Sequence, residues 1–334
     1  MIPSTSRLSP VRAMAPLSIL VVGSGIAGPT LASFLLSSQQ AAREKADITV
    51  LERSAALQPY GQNIDIRGTG LTVIRKLGLE SAIRSSITGE EGVQFVDADN
   101  RVWAAFGADK SGRIQTGTSD IEILRGRLAE LCFQRSRDLS NQVTREGGSG
   151  VKYIFGDSLT ELVQDEQKVH VRFAKSGERK SYDLVIGADG LQSQTRKLAF
   201  GDAAEETTVK PLNMYGGFFS MPKAETDSAW RRWFHAPGRR GVMIRPSGVP
   251  DKSTVFLNII SDDDRRLNDV AVPGRKGVEA QKSLLKEYFG DAGWECDRIL
   301  REMETADDFY YSIVAQIKMD TWSKGRVVLL GDAG

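Results

Sequence analysis

Three glycines and one acid carry the first chemical signal. Gly23, Gly25 and Gly28 follow an apolar run at 19–22 and open a stretch with helical apolar spacing at 26–38. A strand, a tight turn and a helix in that order form a phosphate cradle. Gly23 permits the turn, Gly25 lets a pyrophosphate approach the backbone, and Gly28 lets the helix close on the strand. Ile26 and Ala27 then open the helix, whose N-terminal amides favour an anion. Glu52 closes a second β-type run at 47–52, 24 positions beyond Gly28, and suits the hydroxyls of an adenosine ribose. Arg53 beside it reads equally as a cofactor contact or a solvated cation. This group predicts dinucleotide binding, without separating FAD from NAD.

Two later stretches add to it. Asp189 and Gly190 end the apolar run 184–186 within GADG, followed by Ser193 and Arg196; Asp332 follows the apolar run 327–330 within GDAG. An acid at the carboxyl end of a parallel strand is a natural acceptor for sugar or ribityl hydroxyls. Other chemistries have little material. The two histidines, His170 and His235, are isolated, and Cys132 and Cys296 are the only cysteines. Neither a zinc site, a Ser-His-Asp device nor a disulfide framework is signalled, and two buried soft hydrophobes is the simplest reading of the thiols.

The elements that must hold these residues are legible as periodicity. The runs 19–22 and 47–52 read as buried parallel strands, and Pro29 falls in the first helical turn, where its missing N–H costs nothing. A short helix is expected over 71–79, ending at Gly78. A hairpin is expected from 93–96 and 102–106 around Asp99 and Asn100, a helix over 121–133, and a turn at 147–150. A meander should follow over 152–155, 159–164 and 168–173. Strands at 214–221, 231–235, 241–245 and 254–261 predict an antiparallel sheet, with helices at 278–289 and 296–303. The expected fold class is α/β, a Rossmann-like FAD-binding domain of glutathione-reductase type with an inserted antiparallel-sheet substrate domain. The nucleotide domain is discontinuous, 17–206 and 321–334, with substrate-side elements near 61–110. The sheet domain spans 207–320, and 1–16 is a disordered extension.

With 334 residues and 40% hydrophobic composition the chain can bury a large core. A net charge of +1 gives no electrostatic reason to expect nucleic acid or an anionic membrane. No apolar run approaches the roughly 18 residues of a membrane span. Arg7 and Arg12 precede the first strand without an amphipathic face or a signal-type apolar core, so a cytoplasmic protein is expected.

Taken in order, the three motifs resemble the FAD-dependent aromatic hydroxylase family, the para-hydroxybenzoate hydroxylase type, with a look nearest to tetracycline-modifying and fungal secondary-metabolite monooxygenases. The resemblance covers 17–334. It implies that Asp189 and Gly190 help bind both the flavin and the pyrophosphate of the nicotinamide cofactor, and that Asp332 bonds flavin ribityl or ribose hydroxyls. Arg125, in EILRGRLAEL, resembles a helix-borne arginine that points toward the flavin, although Arg127 stands where an acid is common. The stretch QNIDIR, 62–67, resembles the segment that passes the isoalloxazine, with Arg67 a possible contact, and Gln316 is a candidate border residue.

The family's chemistry is oxygen insertion: NAD(P)H reduces FAD, O2 adds, and a C4a-hydroperoxyflavin hydroxylates or epoxidises a hydrophobic, aromatic or polyketide-like small molecule. Tyr215, Phe218, Phe219, Trp230, Trp233, Phe234 and Met243 offer stacking surface or ordinary core. Arg231, Arg232, Arg239 and Arg240 could hold an anionic group or form a solvated rim. No Trp-x-Trp-x-Ile-Pro segment supports a halogenase. The alternative is a truncated, inactive remnant that binds FAD weakly, because the chain stops at Gly334 before the Pro- and Gly-containing loop and helix of the family.

Overall fold

The structure, a computed structural model, describes residues 16–41, 46–58, 61–111, 114, 116–201, 208–271 and 277–334. The expected extension, apart from Pro16, and the polar connection around Arg43, Glu44 and Lys45 lie outside the described residues.

A six-stranded sheet carries the glycine motifs, in the order Ser323–Lys324, Val327–Leu329, Leu184–Gly187, Leu17–Val22, Ala46–Glu52, Val151–Phe155. Its ladders are parallel except for the short outer pair at 323–324 and 327–328. The central strand is apolar over Ile19–Val22 because both its faces are covered there. Ile19 and Val21 pack with Leu36 of the helix Ala27–Ala41 and with Leu139 and Val143 of the helix Arg125–Arg145. Leu20 and Val22 pack on the opposite face against Val169, Val171 and Phe173 of a three-stranded meander. Leu20 and Val21 are both fully buried.

The second layer is a seven-stranded sheet in the order Tyr310–Ile317, Val209–Pro222, Lys252–Ile260, Arg240–Pro246, Arg231–Ala236, Gly92–Val96, Val102–Gly107. Alternation along these strands sends Tyr215, Phe219, Phe234, Val242, Ile244 and Leu257 to one face. There they pack on the helices Gly277–Phe289 and Cys296–Thr305. Both cysteines are buried, free thiols: Cys296 lies in this core, and Cys132 packs with Ile74 and Leu128.

Several expectations are corrected. The segment 121–133 does not begin as a helix: Glu122–Leu124 is a strand paired antiparallel to Asn63–Asp65. The helix then runs from Arg125 to Arg145, because Cys132, Ser136, Leu139 and Val143 prolong its buried stripe. Val151–Phe155 belongs to the parallel sheet, and the meander is completed instead by Arg179–Tyr182. The large sheet is not purely antiparallel: Gly92–Val96 and Arg231–Ala236 pair parallel, which brings the 92–107 hairpin into it. The strand Tyr310–Ile317 and the helix Arg265–Ala271 carry no strong local signal.

Candidate cofactor groove and adjoining cavity

The glycine turn sits at the carboxyl end of the parallel sheet. The Gly23 amide donates to the Leu51 carbonyl at 2.7 Å, and the Ala188 amide to the Val22 carbonyl at 2.7 Å. Gly23 has φ +111°, and a Cβ there would lie 2.3 Å from the Ala188 oxygen. A Cβ at Gly28 would lie 2.0 Å from the Gly23 oxygen. These two glycines are therefore required by the protein's own packing. Gly25 differs, since nothing lies within 4 Å of its Cβ position. It borders a groove of about 430 Å³ that Gly23, Ser24, Ile26, Ala27, Glu52, Arg53, Arg125, Asp189, Gly190 and Asp332 also line.

Three motifs from distant parts of the chain thus meet on one wall system, and each acid plays a different part. Glu52 accepts from the Ser24 and Ser54 amides at 2.8 Å each, which fixes the carboxylate at the strand end while leaving lone pairs for a ligand's hydroxyls. Asp189 is turned inward: it accepts from the Ser193 hydroxyl at 2.5 Å and from the Thr195 amide and hydroxyl at 3.0 Å. Its carboxylate shapes the loop before the helix Gln194–Phe200. Asp332, on the turn Gly331–Ala333, is exposed and has no hydrogen-bond partner among the described residues. Arg196, which the sequence places among the polar positions after the second motif, is 1% exposed. It donates to the carbonyls of Ala333 at 2.8 Å and Leu191 at 2.7 Å, fastening the second motif to the third.

Arg53 and Arg125 are exposed on the groove wall. Arg67 is not brought there: its guanidinium pairs with Asp65 at 3.1 Å and lines neither cavity. Gly28 also lies behind the wall, as its packing role requires. Gln316 is exposed on the outer strand opposite Lys210. Sequence reading missed Ser54, Gln58, Asp157, Gln192 and Gln194 on the wall. Asp157 had a usable signal, because it follows Gly156 in a turn directly after a parallel strand.

The groove fits a dinucleotide. It has open space before Gly25 and a free carboxylate at Asp332. It also has a buried Ser24 hydroxyl with no hydrogen-bond partner among the described residues, and a helix start with no acid in its first turn.

A second cavity, about 270 Å³, adjoins it. Gly61 and Gln62 line this cavity, and the same Gly61 packs on Arg125 of the groove, whose amide donates to the Gln62 carbonyl at 3.0 Å. Opposite are Phe218, Phe256 and Tyr310, stacked at 4.2 and 4.8 Å. Burial pushes the Tyr310 phenol up, so it stays protonated and donates to Gln62 Oε1 at 2.6 Å. Cross-strand register continues the row through Met243, Trp233 and Phe95. Trp103 and Phe106 at the outer edge are 68% and 60% exposed. Of the expected stacking residues, then, Phe218 and Met243 face the cavity, Tyr215 and Phe234 are core on the other face, and Phe219 packs in that core while also bordering the cavity.

The four arginines considered for an anion are already paired. Arg231 meets Glu90 at 2.7 Å, Arg232 meets Asp227 at 2.9 Å, Arg239 meets Asp262 at 2.7 Å, and Arg240 meets Asp291.

Among the described residues, no group of three His, Cys, Asp or Glu side chains is placed to hold a metal ion, and no helix is long and apolar enough to cross a membrane. A family model described as FAD binding domain matches residues 17–334. The FAD-dependent monooxygenase asL6 of Sarocladium schorii is 37% identical over 321 residues, covering 95% of this chain and 73% of its own length. Monooxygenase CTB7 of Cercospora beticola is 34% identical over 323 residues, covering 95% and 72%. Among solved structures, tetracycline destructase Tet(51) aligns with TM-score 0.75 at 28% identity, over 96% of this chain and 75% of its own. The chain belongs to the FAD binding domain family and is an FAD-dependent oxidoreductase of the flavin monooxygenase kind.

Proposed function

We propose that the protein uses NAD(P)H and O2 to insert one oxygen atom into a flat, hydrophobic, aromatic or polyketide-like molecule, the second oxygen leaving as water. The observation that carries this reading is the adjacency of the groove to an aromatic-walled cavity across Gly61, Gln62 and Arg125. FAD, when bound, supplies the redox and oxygen-activating chemistry that no side chain here provides.

The chain's own residues bind and orient. Gly25, Ile26 and Ala27 receive the pyrophosphate, Glu52 takes the ribose hydroxyls with Arg53 beside it, and Asp332 takes the ribityl hydroxyls. Gly23, Gly28 and Asp189 set the backbone, Gly190 lines the groove, and Arg125 borders the ring end. Phe218, Phe256 and Tyr310 stack the substrate and exclude water. We assign 17–206 and 321–334 to a nucleotide domain of glutathione-reductase type and 207–320, with the 92–107 hairpin, to the substrate layer. The likeness to enzymes named as monooxygenases favours this over an inactive remnant.

Anaerobic stopped-flow absorbance tests the reading. NAD(P)H should bleach bound flavin near 450 nm, and air with an aromatic substrate should restore it and give a product heavier by one oxygen atom. A flavin that NAD(P)H never bleaches overturns the proposal.

A further inference from the structure

Among the described residues, Arg245 is the one cation that lines the aromatic cavity, and it is neutralised from behind. Arg245 stands two residues past Met243 on the same strand and lines the cavity with Asn63 and Thr254. Its Nε donates to Glu90 at 3.0 Å and its Nη2 to Glu122. Arg231 bridges the same two carboxylates, at 2.7 Å to Glu90 and 3.2 Å to Glu122. The Glu90 and Glu122 side chains are 0% and 3% exposed. Glu90 also accepts from the Thr118 hydroxyl, and Glu122 from the Thr88 hydroxyl at 2.6 Å and the Asn63 amide at 3.0 Å. Two guanidinium groups, 11% and 12% exposed, face two buried carboxylates, so the ionised cluster sums to zero. The other charged group among the described residues that line the cavity is Asp308, an acid.

An arginine so compensated still donates hydrogen bonds but offers little attraction to an anion. Nη1 of Arg245 has no hydrogen-bond partner among the described residues. A carboxylate entering this cavity would lose its hydration without gaining a counter-charge, and would meet Asp308 as well. A carbonyl or hydroxyl oxygen would take the free N–H at little cost.

Building on the oxygenase reading above, we propose that Arg245 is a specificity-determining residue that selects flat aromatic substrates bearing a neutral oxygen acceptor and that the cavity rejects aromatic carboxylates. Glu90 and Glu122 are the positioning residues that make it selective. Attraction and rejection come from one cluster.

Two probes of equal ring size separate the outcomes: 2-acetylnaphthalene, a neutral ketone, and 2-naphthoate, an anion at neutral pH. Their affinities for the FAD-loaded protein are measured by calorimetry, without turnover. The ketone should bind at least about tenfold more tightly than the carboxylate. Glu122→Gln leaves Arg245 under-compensated, so naphthoate binding should tighten by roughly fivefold or more while the ketone changes little. Glu90→Gln should act in the same direction, and Arg245→Met should weaken the ketone by about fivefold or more.

Naphthoate binding to the parent as tightly as the ketone overturns the inference. So does an unchanged ratio in both glutamine variants when their circular dichroism is native. If neither glutamine variant folds, the parent ratio and the loss in Arg245→Met decide. Binding of neither probe overturns the aromatic-cavity reading together with the inference, whereas a flavin that NAD(P)H cannot bleach sinks the oxygenase reading alone.

Discussion

Gly25 and Gly28 occupy the same motif for opposite reasons, which makes them separable by substitution. A Cβ at Gly28 would collide with the Gly23 carbonyl at 2.0 Å, and backbone cannot rotate aside as a side chain does. Gly28→Ala should therefore cost about 1–3 kcal/mol of stability, read from urea midpoints. A Cβ at Gly25 meets nothing of the protein, so Gly25→Ala should change stability by less than about 0.5 kcal/mol. It should nonetheless weaken FAD binding at least tenfold, about 1.4 kcal/mol, in a flavin-fluorescence titration. An alanine variant at 25 that binds FAD like the parent removes the pyrophosphate assignment. Residue chemistry at these positions was legible because backbone demands leave glycine in the sequence. The Glu90, Glu122, Arg231 and Arg245 cluster was not, since its members come from four separate segments and each looks like a surface charge. Burial pushes the Glu122 carboxyl up, reinforced by the nearby Glu90 and opposed by Arg245, and only the folded neighbourhood creates that condition.

At the scale of elements, sequence periodicity located most strands and helices but not their partners. The helix Arg125–Arg145 was under-read because its first expected turn is claimed by a strand and its second half is marked only by Ser136, Leu139 and Val143. The 92–107 hairpin was legible as a hairpin; its parallel pairing to Arg231–Ala236 was not, because no local pattern encodes a neighbour more than a hundred residues away. Arg196 shows the same limit. Sequence marks it as a polar position of the second motif but not its partner, and it joins the loop after Leu184–Gly187 to the turn after Val327–Leu329. Arg196→Met should destabilise by about 2–4 kcal/mol, since two charge-assisted bonds vanish and the Leu191 and Ala333 carbonyls lose a donor. Chemical denaturation with circular dichroism checks this; a change below about 1 kcal/mol contradicts the latch.

Another link between elements is titratable. Asp183 accepts from the Ser18 amide and hydroxyl at 2.8 Å each and from Lys168 Nζ at 2.7 Å. The Lys168 hydrogen bond, then the Ser18 amide, hold its carboxyl down at about 2, against a usual 3.8. A lowered carboxylate stabilises the fold above its unfolded value and loses that contribution as pH falls through the folded one. The window is therefore pH 4 down to about 2. In Asp183→Asn the urea midpoint should be lower at pH 5, and the gap to the parent should close across that window. A gap that stays constant from pH 5 to 2 contradicts the assignment.

Across the whole molecule, the two layers meet where Gly61, Gln62 and Arg125 form a single thickness of chain between groove and cavity. The aromatic row gives the sheet a polarised face, stacked inside and open at Trp103 and Phe106. Strand order adds a temporal consequence. Leu184–Gly187 must pair with Val327–Leu329, and among the described residues nothing earlier in the chain occupies that side of it. During synthesis at about 5–20 residues per second, that apolar strand edge waits on the order of 10 s for its neighbour to be translated. Unpaired edges of this kind recruit other chains. A nascent copy thus passes through an interval in which that edge is open to other chains, and chaperone cover over it should raise the yield.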